Sequence, residues 1–166
     1  SVFFDIIAGA LHSGKPRFIK NDGASPATMS TFPASEATVS AAHLGPFLGS
    51  RYPLSPQTVC RLFRTGINHL YLVNDAEGRF VFRVYTHGWR TKPHIAEEVR
   101  LLLHLSDSGV PVSRPIADRS GEWIQEISAP EGPRYGVLFS FAEGRKIARF
   151  TPEVSYRIGE AMAQMH

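Results

Sequence analysis

The sequence predicts an α+β fold: a mostly antiparallel sheet of about five strands with one helix packed on it. Two observations carry this expectation. Three strand-like runs between Thr58 and Tyr85 are joined by turns too short for parallel crossovers, so neighbouring strands must run antiparallel. A single strongly amphipathic run, Pro93–Ser106, then interrupts them before two or three further strand-like runs appear.

The elements follow in order. Residues from Asn21 to Ser40 are rich in Ser, Ala, Thr and Pro and read as a linker. A leading helix is expected from a Ser35 cap, with Val39, Leu44, Phe47 and Leu48 as its apolar stripe and a break at Gly45-Pro46. Thr58–Phe63 is the first strand, and Gly66-Ile67-Asn68-His69 the turn into a second, Leu70–Val73. Asn74 to Gly78 is a second turn. Arg79–Tyr85 gives the strongest strand signal: Phe80, Phe82 and Val84 share one face, and Val81, Arg83 and Tyr85 the other.

In the helix, Ile95, Val99, Leu102 and Leu103 recur at helical spacing, and Gly109 stops it. Strands are expected around Arg114–Ala117, Glu122–Ile127 and Tyr135–Phe141. The chain closes with a helix capped by Thr151, with Pro152 in the first helical position.

Composition narrows the function classes. Eighteen basic residues against fifteen acidic give a net charge of +3, too small and too evenly spread for a nucleic-acid surface. No run approaches the roughly 18 apolar residues of a membrane-spanning helix. One cysteine, Cys60, excludes an internal disulfide framework, reads as a buried apolar residue and suits a cytoplasmic chain. The seven histidines show no paired metal spacing, so no metal site is expected. Gly9-Ala10-Leu11-His12-Ser13-Gly14-Lys15-Pro16 nearly spells a phosphate loop, but Pro16 stands where a hydroxyl residue is required and the linker replaces the helix that should follow. Met29 reads as the natural start, with residues 1–28 either upstream sequence or a genuine N-terminal extension outside the fold.

Several stretches carry chemistry only together. A tight turn at Gly66 and Asn68 can lay backbone N–H groups over phosphates, although such a turn is more often only a turn. Arg83, on the third strand, can pair with Glu98 or its neighbour Glu97. These two point about 100° apart, so only one faces the sheet. With Ser108-Gly109-Val110-Pro111-Val112-Ser113-Arg114-Pro115 and Tyr135-Gly136-Val137-Leu138-Phe139-Ser140-Phe141-Ala142-Glu143-Gly144, this order resembles the aminoglycoside phosphotransferase and choline kinase-like family, over Phe32–His166.

The resemblance implies the small lobe of a protein-kinase-like fold over residues 29–141, with a hinge and the first helix of a second lobe over 142–166. It implies ATP as cofactor, with Mg²⁺ in the complete protein. Arg83 would reach the phosphates and Glu98 would hold it, while Val81 and Phe139 would line the adenine pocket. Ser140 would supply a carbonyl and Ala142 an amide to the adenine edge. The implied reaction moves the γ-phosphoryl group of ATP to a hydroxyl of a small molecule. The alternative is a non-catalytic nucleotide-binding domain. The family's His-Gly-Asp-x-x-x-x-Asn stretch is not among the 166 residues, so no catalytic residue is assigned and this chain alone is expected to be inactive.

Overall fold

The computed structural model describes residues 37–144, 147 and 149–165. The near-phosphate-loop, the extension over 1–28, Met29, the Ser35 cap and most of the linker lie outside them.

Helix α1 (Ala41–Arg51) precedes three strands, β1 (Val59–Arg64), β2 (Asn68–Asp75) and β3 (Gly78–Tyr85). Helix α2 (Lys92–Asp107) follows, then β4 (Pro115–Ile116), β5 (Gln125–Ala129), β6 (Gly132–Ser140) and helix α3 (Pro152–Ala163). All pairings are antiparallel, in the order β1-β2-β3-β6-β4, with β5 also on β6. The sheet has six strands rather than about five because both short runs between α2 and β6, β4 and β5, pair with β6.

The alternation read in β3 sorts the core into two layers. Phe82 and Val84 join Cys60, Tyr71, Val73 and Leu138 against Leu44, Leu48 and Tyr52, so α1 covers one face. Tyr85, Val137 and Phe139 join Ile95, Val99 and Leu102, so α2 covers the other. Gly136 lies where β6 crosses β3: a Cβ there would stand 2.3 Å from Cζ of the fully buried Phe82.

Two expectations for the leading helix are corrected. It begins at Ala41 rather than near Ser35, because Ser40 is extended and the backbone of Ala37 and Val39 is tied to side chains of the sheet and its turn. The Ala37 amide donates to Glu131 at 3.3 Å, its carbonyl accepts from Arg134 at 2.7 Å, and the Tyr71 hydroxyl donates to the Val39 carbonyl at 2.7 Å. Nor does Gly45-Pro46 break it, since Pro46 lies inside the helix. Gly45 instead permits close docking, because a Cβ there would meet the Thr58 carbonyl oxygen at 2.6 Å.

Turn and cap chemistry account for the other boundaries. The second strand starts at Asn68, inside the expected turn, because it pairs with Tyr85 from that residue on. The next turn shrinks to Ala76 and Glu77, with Gly78 at φ 141°. The Asp75 carboxylate accepts from the Ser55 amide and hydroxyl at 2.8 and 2.6 Å and from the Glu77 amide at 3.1 Å, and Thr58 Oγ1 lies 2.7 Å away. Helix α2 ends in a Schellman motif, the Val110 amide on the Leu105 carbonyl and the Gly109 amide on that of Ser106, with Gly109 at φ 82°. Thr151 caps α3 by accepting from the Val154 amide at 3.3 Å. No described helix is long and apolar enough to cross a membrane.

Candidate functional site

Strand β3 sends Arg79, Val81, Arg83 and Tyr85 to the face that α2 covers, one every second residue. Cross-strand register extends this into rows: Leu72, Val81 and Phe139 form one, and Leu70, Arg83 and Val137 the next, with Asn68 opposite Tyr85 beyond. Arg79 and Arg83 therefore stand about 13 Å apart along one strand, at a rise of about 3.3 Å per residue.

At the α2 end, Arg83 donates to Glu98, and their side chains are 5% and 16% exposed. The Arg83 guanidinium lies 5.0 Å from the Phe139 ring centroid and 5.6 Å from that of Tyr85, whose hydroxyl oxygen is 3.4 Å from Nη1. Burial pushes the Tyr85 phenol up to about 12, so it remains a neutral hydroxyl. Arg90, just before α2, approaches the other Glu98 oxygen at 3.6 Å. Two guanidiniums converge on one carboxylate, and their forks carry more donors than it can accept, which suits an anionic ligand. Stability alone is a poor reason for the pair, because buried ion pairs are often no more stabilising than apolar side chains of the same volume. Of the two candidate acids, Glu98 faces the sheet; Glu97 is exposed and pairs with Arg100 on the surface.

At the other end, β6 leaves the sheet after the Phe80–Ser140 pair. The Ser140 amide donates to the Arg114 carbonyl at 2.9 Å, and Ser140 Oγ accepts from the Arg114 amide at 2.9 Å. Phe139 is buried in the α2-side core, Val81 is half-buried on the open part of that face, and Ala142 is exposed. The Gly66 turn is held by Thr86, whose hydroxyl donates to the Ile67 carbonyl at 2.5 Å. Nothing lies within 4 Å of a Cβ at Gly66, so internal packing does not require glycine there. Asn68 Oδ1 is buried with no hydrogen-bond partner among the described residues.

The fold thus brings Val81, Arg83, Glu98 and Phe139 to one face, with Ser140 and Ala142 at its margin. Arg79 and Arg90 were missed in the sequence. The two-residue spacing of Arg79, Val81 and Arg83 could have revealed the first; Arg90 precedes a helix and had no periodic signal. A cavity of 380 Å³ lies elsewhere, between α2 and residues 122–124, lined by Pro93, Ala96, Val99, Leu103, Trp123 and Ile124 among others. Ala96 stands two residues from Glu98, about 200° around the helix, so the cavity is on the helix's far side. Cys60 is buried in the α1-side core and its thiol is pushed up to about 11, an inert apolar group as expected.

Residues 59–166 match the profile of the phosphotransferase enzyme family. An uncharacterized protein of Synechocystis sp. is 33% identical over 136 residues, covering 81% of this chain and 38% of that protein. A homoserine kinase of Caulobacter sp. is 32% identical over 125 residues, covering 74% of this chain and 37% of that protein. The chain thus spans about two fifths of the length of these relatives. Among solved structures, a microcompartment-associated aminopropanol kinase superposes with TM-score 0.61 at 24% identity, over 75% of this chain and 39% of that one. An amicoumacin kinase in complex with AMP-PNP, Ca²⁺ and its ligand superposes with TM-score 0.54 at 19% identity, over 63% of this chain and 32% of that one.

Proposed function

From the premise that the chain belongs to the phosphotransferase enzyme family, we propose that it forms the ATP-binding lobe of a kinase. The complete protein would move the ATP γ-phosphoryl group to a hydroxyl of a small molecule. The observation that carries this reading is the Arg83–Glu98 pair, buried between two aromatic rings at one end of a face whose other end is the departing β6 strand.

In this reading residues 29–141 belong to the small lobe and 142–166 to the hinge and the beginning of a second lobe. Adenine lies under Val81 with Phe139 behind it, offered the Ser140 carbonyl and the Ala142 amide. The Ser140 amide is already spent on Arg114, which leaves its carbonyl as the group for the base. Arg83 grips the phosphates, and Glu98 holds the guanidinium in place. The open position beside Gly66 leaves space for a phosphate chain.

Mg²⁺ is a different matter. The described residues include no cluster of three or more His, Cys, Asp or Glu side chains able to hold a metal, so no step is assigned to it here. The general base is assigned to the second lobe. The relatives named for homoserine, aminopropanol and amicoumacin support a small-molecule acceptor.

The test is phosphate transfer from γ-labelled ATP by the full-length protein to a panel of amino alcohols and aminoglycosides. Labelling of one acceptor is expected, with loss in Arg83→Ala. ATP binding without transfer to any acceptor would favour the non-catalytic reading. This 166-residue chain alone is expected to transfer none, and turnover by it would overturn the division of labour between lobes.

A further inference from the structure

Backbone pairing between β3 and β6 ends at Phe80–Ser140, so Phe141, Ala142 and Glu143 lie beyond the last rung. One side chain takes over there. Arg79, the residue before Phe80, places its guanidinium 4.3 Å from the Phe141 ring centroid. It also donates to both carboxylate oxygens of Glu143, at 2.5 and 2.6 Å. The two side chains are 48% and 72% exposed, so the pair contributes little stability as a surface salt bridge. Its geometry is more informative than its energy. Both bonds leave one nitrogen, Nη2, while the guanidinium stands over the Phe141 ring, so a single side chain holds two points of the segment at once.

We infer that Arg79 is a positioning residue for the purine end of the nucleotide site: it clamps Phe141–Glu143 to β3 and so keeps the Ser140 carbonyl and the Ala142 amide in register for the base. This rests on the nucleotide reading above. Adenine presents a donor and guanine an acceptor at the corresponding ring position, so discrimination between them depends on a carbonyl and an amide held at fixed positions. Arg79 thus governs base recognition, whereas Arg83, on the same strand face, governs the grip on phosphate.

The two ends can be separated by ligand. ATP, GTP and inorganic tripolyphosphate, which has no base, are titrated into the full-length protein and its variants. Arg79→Ala is expected to weaken ATP about tenfold, narrow the preference for ATP over GTP, and leave tripolyphosphate within about twofold. The charge swap Arg79→Glu with Glu143→Arg should restore the preference in part, because the ion pair is remade with its ends exchanged. Unchanged ATP affinity and ATP/GTP ratio in Arg79→Ala would overturn the inference while leaving the nucleotide reading intact. An equal loss for all three ligands would overturn it too, by showing general damage. Failure of the wild-type protein to bind any of them would overturn the nucleotide reading, and this inference with it.

Discussion

Replacing Glu98 by Gln preserves its shape and removes its charge, leaving Arg83 and Arg90 facing each other without an anion between them. Breaking one side of a buried ion pair costs about 3–5 kcal/mol. Glu98 is 16% and Arg90 24% exposed, so water screens part of the stranded charge and the lower end applies, about 3 kcal/mol. With a urea dependence of about 2 kcal/mol per molar, the unfolding midpoint should fall by roughly 1.5 M. Glu97→Gln is the matched control: it removes the same charge one residue away, from an exposed pair with Arg100, and should cost under about 0.5 kcal/mol. Arg83→Met combined with Glu98→Leu should recover most of the loss, because apolar groups can replace a buried pair. Urea unfolding followed by circular dichroism reads all four proteins. Equal, small losses in Glu98→Gln and Glu97→Gln would refute the argument that Glu98, and not Glu97, is the buried acidic partner of Arg83.

Two further outcomes test how the fold is held. Hydrogen bonds from the Ser55 hydroxyl, Thr58 and the Glu77 and Ser55 amides outweigh burial and keep the Asp75 carboxyl well below the usual carboxylate range. A depressed folded pKa stabilises above the unfolded value of about 3.9 and loses that contribution as pH falls below it; Asp75→Asn should therefore be less stable by about 2 kcal/mol at pH 7, with the gap closing below about pH 4. Gly136→Ala drives a methyl into the Phe82 ring, whose Cζ would lie 2.3 Å away, and should cost at least about 2 kcal/mol by thermal or urea unfolding; a loss under about 0.5 kcal/mol would contradict the packing of β6 across β3.

The sheet was legible because strand signals are local. The alternation from Phe80 to Tyr85 marks both faces, and the short turns force antiparallel pairing. The choice of Glu98 was legible only with the family resemblance, since helical geometry alone left Glu97 open. What escaped depends on long-range contact. Residues 37–39 stay out of the helix because Arg134, Glu131 and Tyr71, distant in sequence, take backbone groups of Ala37 and Val39, against the local preference for helix. Pro46 sits inside α1 because packing of that helix, including Gly45 against Thr58, outweighs the lost backbone hydrogen bond. Arg79 looked like any surface arginine, because its partners Phe141 and Glu143 come more than sixty residues later, a separation of 64 for Glu143.

The central claim is that the face bearing Arg83 binds a nucleotide. Its most direct measurement is calorimetric titration of AMP-PNP into the full-length protein and its Arg83→Met variant, both verified as folded by circular dichroism. A loss of at least about tenfold in affinity, about 1.4 kcal/mol, in Arg83→Met is the predicted result. Equal affinity of the two proteins would contradict the claim and remove the nucleotide from this face.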